Sequence, residues 1–225
     1  MDGSRWERLA PLTGVVFTVL AVAGNALQGS SPDFLDEPQK IVDFYVDSSD
    51  TIGLGMNLAA VSLVFLVWFF ASLRRTLLAA EGGDGRLASI AFGGGLVATA
   101  LLMASFALNG LGGLRAGEDD TIGAEVAVVL YDGSSILAGL GATMAMVVVL
   151  VATAIAVFRF RPLPSWLGWV SVLLAVIGLF GPISWVLLLL FPLWVLVTSI
   201  LLYQRQAPLS PAPSSRESPP PVAAP

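Results

Sequence analysis

Only one carboxylate stands inside the apolar stretches of this 225-residue chain: Asp132, in "VVLYDGSSI". An ionisable side chain is costly to place in an apolar run, which makes it a functional candidate. The chemistry open to it is proton coupling or binding of a polar solute, and either needs company. The company is amide and phenol: Asn25, Gln28, Asn57, Asn109 and Tyr131. At the helical rise of 1.5 Å per residue, Asp132 lies about 40 Å from Arg159, and Asn25 about 26 Å from Arg8. Asn57 lies about 26 Å from Arg74, and Asn109 roughly 35 Å from Arg86. All therefore gather toward one end of the molecule, Tyr131 and Gln28 included. Pointing inward, they line a polar vestibule. Pointing elsewhere, they are caps and interhelical hydrogen bonds of modest energy, with Asp132 a carboxylate at the water boundary. Periodicity does not decide between these faces.

Other chemistry is excluded more directly. The chain has no cysteine and no histidine, which removes thiol nucleophiles, the usual zinc sites and imidazole bases. It carries no phosphate-binding glycine loop and no serine nucleophile elbow. "AFGGGL" is glycine-rich but lies within an apolar run, and "EDD" at 118–120 is too short to specify a calcium site. No catalytic, cofactor-binding or metal-ligating set is expected, and no nucleic-acid partner.

The elements that position these residues follow from composition. Hydrophobic residues make up 56% of the chain and charged ones 12%, about half the charge of a soluble domain. Such a surface suits lipid. A helix needs roughly 20 apolar residues to cross a hydrocarbon core of about 30 Å. Six stretches qualify: 9–28, 52–73, 87–109, 126–158, 166–180 and 183–203. The expected fold class is therefore all-α, a polytopic membrane helix bundle of six transmembrane helices over residues 1–205. The fourth stretch is too long for one simple crossing, so its outer end projects or bends. The fifth is short, and it forms a hairpin with the sixth about Gly181 and Pro182.

Arginine sets the orientation, because segments kept in the cytoplasm are rich in Lys and Arg. Arg5, Arg8, Arg74, Arg75, Arg86, Arg159, Arg161, Arg205 and Arg216 fall on one side, and only Lys40 and Arg115 on the other. Both termini are thereby expected in the cytoplasm, with the acidic loops 30–51 and 110–125 external. An alternative is that the first stretch is a secretory signal ending at Ala21-Val22-Ala23, which leaves five spans and an external N-terminus.

In "SSPDFLDEPQKIVDFYVDSSD" the spacing predicts a helix with Asp36 as N-cap, Pro38 in its first turn and Gln39 completing a capping box. Asp36, Lys40, Asp43 and Asp47 share one arc, and Ile41, Val42, Tyr45 and Val46 the other. Such a helix lies flat on the rim, as a lid, a gate or a docking surface. Residues 206–225 hold seven prolines among Ser and Ala and are expected to be a disordered cytoplasmic tail. Small residues at four-residue spacing mark the third and fourth spans (Ala91/Gly95, Gly94/Ala98, Ser134/Ala138/Ala142), a pattern that lets backbones approach. Pro192 is expected to bend the sixth span. Trp6, Trp166, Trp169 and Trp185 fall near the span ends as an interfacial belt.

The runs "FFASLRRTLLAAEGGDGRLASIAFGGG", "RPLPSWLGWVSVLLAV" and "FPLWVLVTSILLYQR" resemble a group of bacterial six-span membrane proteins of unknown function. The resemblance covers roughly residues 5–205 and implies a short cytoplasmic N-terminus, an outer loop with an "IVDFY"-like helix and an arginine-rich first inner loop. It transfers no active residue. The expected function is non-enzymatic: an interaction, accessory or sensor protein of the cell membrane. Its expected partners are the lipid bilayer and a membrane protein or second copy met through the small-residue faces of spans three and four. The alternatives are a small-solute transporter or channel with an outward vestibule near Asp132, and an intramembrane enzyme.

Overall fold

The structure, a computed structural model, describes residues 9–119 and 121–205, and these are all helix and connecting turns. Residues 1–8, with Arg5, Trp6 and Arg8, lie outside it, as do Asp120 and the proline-rich tail. Helix α1 (Thr13–Leu27) follows a 3-10 turn, and α2 (Pro38–Asp47) is the loop helix. The long helices α3 (Ser49–Glu81) and α4 (Arg86–Asp119) come next. Then α5 (Ala124–Ile136) and α6 (Thr143–Phe160) are joined without a break by a π-helical segment, Leu137–Ala142. Last come α7 (Ser165–Leu179) and α8 (Trp185–Arg205).

Five stretches are long and apolar enough to cross a membrane: 10–27, 49–81, 86–118, 124–160 and 185–205. Helix α7 is equally apolar but only 15 residues long. The hairpin between α7 and α8 turns through a 3-10 turn at Gly181–Ile183. The overlong fourth stretch contains the π segment. A π turn adds a residue to the helical repeat and re-aims the next turns without ending the helix.

Packing runs in chain order and closes on itself. Helix α1 packs on α3, α3 on α4, α4 on α6, α6 on α7, α7 on α8, and α8 returns to α1. The main core runs through this ring, with Phe69, Phe70, Leu150, Phe191 and Trp194 at its centre. Close crossings depend on glycine. A Cβ on Gly24 of α1 would lie 2.7 Å from the Gly55 carbonyl oxygen of α3, and one on Gly55 would lie 2.6 Å from the Gly24 carbonyl oxygen. The small-residue faces of α4 are also spent within the chain. A Cβ on Gly94 would meet the Ala145 carbonyl oxygen at 3.1 Å, and one on Gly95 the Phe70 ring at 2.6 Å, whereas Gly93 and Gly139 face open space.

Inside the bundle, side-chain hydroxyls tie neighbouring helices together. Ser105 Oγ donates to the Ser134 carbonyl at 2.8 Å, Trp194 Nε1 to Ser171 Oγ at 2.9 Å, and Ser199 Oγ to the Pro11 carbonyl. Pro192 lies within α8, and Thr18 Oγ1 is 2.9 Å from its carbonyl oxygen. At the arginine-rich end the Glu81 carboxylate spans a glycine turn and accepts from the Leu87 and Ala88 backbone N–H groups, at 2.9 and 3.0 Å. It thereby satisfies two of the donors that a helix start leaves free.

Candidate functional site

At 33 and 34 residues, α3 and α4 are about 50 Å long, some 20 Å more than a hydrocarbon core. Their excess length at one end, with α5, forms a cradle for α2. A second hydrophobic core fills this cap: Ile41, Phe44 and Tyr45 of α2 against Ile52, Met56, Ala116, Leu130 and Tyr131. The spacing of Ile41, Tyr45 and Phe44 on one arc brings all three inward, and Ile41 and Tyr45 are fully buried. The polar arc of α2 faces away from the bundle. The start of the helix differs from the sequence expectation. Glu37, not Asp36, occupies the N-cap position, with Pro38 as the first helical residue and no side-chain cap. The Asp36 carboxylate instead accepts from Lys40 Nζ at 2.9 Å and from the Glu37 N–H at 3.0 Å. Both bonds hold it below the usual carboxylate range, the lysine most of all.

Beneath the lid the polar residues form a chain of hydrogen bonds. Tyr45 OH donates to Asn109 Oδ1 at 2.9 Å, Asn109 Nδ2 to Gln28 Oε1 at 3.4 Å, and Gln28 Nε2 to the Gly24 carbonyl at 3.3 Å. The chain links α2, α4 and α1. Burial pushes the Tyr45 phenol far above its ordinary value, so it stays protonated and donates. Tyr131 OH donates to the Pro32 carbonyl, pinning the segment that leads into α2. The rings of Phe44, Tyr45 and Tyr131 meet at centroid distances of 5.5 to 6.3 Å, two of the three pairs edge to face.

The six residues singled out from sequence thus divide. Gln28, Asn109 and Tyr131 converge beneath α2. Asp132 sits half-buried at the rim, where its Oδ1 lies 3.5 Å from the Leu35 N–H. Leu35 has a left-handed backbone, φ 63°. Asn25 and Asn57 are exposed on the outside of the bundle, and Asn57 Nδ2 bonds back to the Gly53 carbonyl of its own helix at 2.8 Å. Sequence reasoning gave Tyr45 only an apolar role on the lid. Its apolar arc was the available signal, since a tyrosine buried by such an arc has to find a partner for its hydroxyl.

What this arrangement does chemically is limited. Ile41, Phe44 and Tyr45 occupy the space beneath α2, where the Asn109 amide bonds to that of Gln28, while Asn57 bonds to backbone of its own helix. No group of three or more metal-ligating side chains occurs among the described residues. No protein-family model, curated protein or solved structure matches the chain.

Proposed function

We propose that the chain is a six-span protein of the cell membrane that acts by interaction, as an accessory or sensor protein, and neither catalyses a reaction nor passes a solute. The observation that carries this reading is the sealed cap. Tyr45, Asn109, Gln28 and Tyr131 spend hydrogen bonds on one another or on backbone under a seated helix, so the polar groups of the cap already hold partners within the chain. Helix α7 counts as the sixth span because it completes the ring between α6 and α8. Its 15 residues cover about 22 Å, and a bilayer thins to meet a short span at modest cost. Arg74, Arg75, Arg86, Arg159, Arg161 and Arg205 lie at the end away from the cap, and this excess of arginine supports a cytoplasmic side for that end and for both termini. The acidic cap is then external.

Because the chain has no cysteine, every introduced thiol is the only one. In whole cells, Thr121→Cys should react with an impermeant maleimide and Asp84→Cys only after lysis. The reverse pattern would overturn the orientation. For the interaction itself, native mass spectrometry of protein extracted in its own lipid patch should show a reproducible protein partner or a discrete oligomer. Gly93→Leu, which faces open space, should lower its recovery several-fold. An empty monomer in both forms would count against the reading.

One observation favours a transporter instead. The π segment interrupts the helix that carries Asp132, and such interruptions occur at functional sites. On that reading α2 is a gate. Uptake or efflux that is lost in Asp132→Asn, with folded protein retained in the membrane, would establish it.

A further inference from the structure

We infer that the groove between the cap-end halves of α3 and α4 binds one zwitterionic phospholipid with an ammonium headgroup. The groove has two continuous sections that share Gly53, Leu111 and Leu114. The deeper, of about 380 Å³, is walled by apolar groups, Met56, Met103 and Phe106 among them, with Asn57 as its polar side chain. The upper, of about 730 Å³, brings in Asp50, Arg115 and Glu118. Each is within the range of small-ligand sites, roughly 300–1,000 Å³.

Depth assigns the two sections to two parts of a lipid. The Arg74 guanidinium stacks over the Phe92 ring, 5.7 Å from its centre, and so marks a common level on α3 and α4. From that level, at 1.5 Å per residue, Met103 lies about 16 Å along and Phe106 about 21 Å, within a hydrocarbon core of about 30 Å. Asn57, at about 26 Å, reaches the depth of the acyl esters. Asp50 and Arg115, at about 35 Å, stand in the headgroup layer, with Glu118 just beyond. An acyl chain suits the lower section, a phosphate suits Arg115, and an ammonium suits Asp50 and Glu118. Among the described residues none of these three makes an ion pair. A second copy of the chain is disfavoured, because a two-fold axis here would set two net-negative mouths against each other. Which leaflet the groove faces rests on the orientation proposed above; the binding does not.

Gly53 gives a test that spares the fold. A Cβ there meets nothing within 4 Å, so a larger side chain fills the groove without pressing on a neighbour. The full-length protein in detergent, washed and then offered phosphatidylethanolamine or phosphatidylglycerol of matched chains, is read by native mass spectrometry. The wild type should retain one phosphatidylethanolamine in preference to phosphatidylglycerol. Gly53→Leu should lower that retention at least tenfold with an unchanged melting temperature. Arg115→Gln should weaken both lipids, and Asp50→Asn with Glu118→Gln should abolish the preference. Equal retention by wild type and Gly53→Leu, or no retention by either, would overturn the site. So would a wild-type dimer that Gly53→Leu dissociates, which would make the groove an interface between copies.

Discussion

Replacing Gly112 by leucine will lift α2 off the cap while the spans stay folded. A Cβ at Gly112 would lie 2.4 Å from Tyr45 Cζ and 2.8 Å from its hydroxyl oxygen. The Tyr45 ring has nowhere to go. It is fully buried, held at its tip by Asn109 and flanked by Phe44 and Tyr131. Overpacking of a filled site costs about 1–3 kcal/mol, here charged to a helix of 10 residues with its own small core. The main core shares no buried residue with the cap core, so relief comes by releasing the lid. The readout is Ile41→Cys, a fully buried position in a chain without other thiols. Gly112→Leu should raise its maleimide reactivity roughly 10- to 100-fold, at about 1.4 kcal/mol per tenfold. Gly93→Leu, with open space around it, is the control. An unchanged rate at Ile41→Cys would mean that α2 does not depend on the Tyr45 seat.

The difference between the two cores also explains what the sequence made legible. Hydrophobic content and run length specify apolar helices. A continuous apolar run of about 20 residues can satisfy its own backbone in lipid only as a helix, because a closed barrel needs short alternating strands. Hence the all-helical bundle and its five long apolar helices were readable, but not their ends. The second and third expected spans, 52–73 and 87–109, run on as helix over 49–81 and 86–119. The site was readable only in depth. Counting residues from an arginine places Asn25, Asn57 and Asn109 along their helices, but the spans are apolar all round. With no polar stripe to mark an outside, period 3.6 says nothing about which way an amide points. Asn109 turns in and Asn57 turns out for reasons held in the partners: Tyr45 and Gln28 in one case, the groove beside Gly53 in the other. Only α2, with charge on one arc and aromatics on the other, declared its faces in advance. The π segment gave no sign beyond the length of its stretch, since "LAGLGA" is as acceptable in an α-helix as in a π turn.

Small residues carried the same ambiguity. The four-residue spacings in the third and fourth spans advertised close packing without naming the partner, which for Gly94 and Gly95 is α6 and α3 of the same chain. The closest backbone approach lies elsewhere, at Gly24 of α1 and Gly55 of α3. Gly55 and Ala59 carry the same four-residue spacing, and Gly24 stands among Ala21, Ala23 and Ala26; neither stretch was singled out from sequence, yet their backbones touch. Gly24→Leu is therefore expected to be the most damaging single change in the bundle. The added Cβ would press on the Gly55 carbonyl oxygen at 2.7 Å and the Ala59 nitrogen at 2.9 Å, and backbone inside a 33-residue helix cannot swing aside as a side chain can. Helix α1 must move away from α3, and with it goes Gln28, which hands the cap network its link to α1. A cost of about 3–5 kcal/mol is the scale of large core disruptions. For a 225-residue chain, about 2–4 °C of melting temperature per kcal/mol puts the shift near 10 °C or more. Thermal unfolding in detergent measures it, and Gly55→Leu should match it because the contact is reciprocal. A shift under about 2 °C in both variants would show that α1 and α3 do not meet at these two glycines.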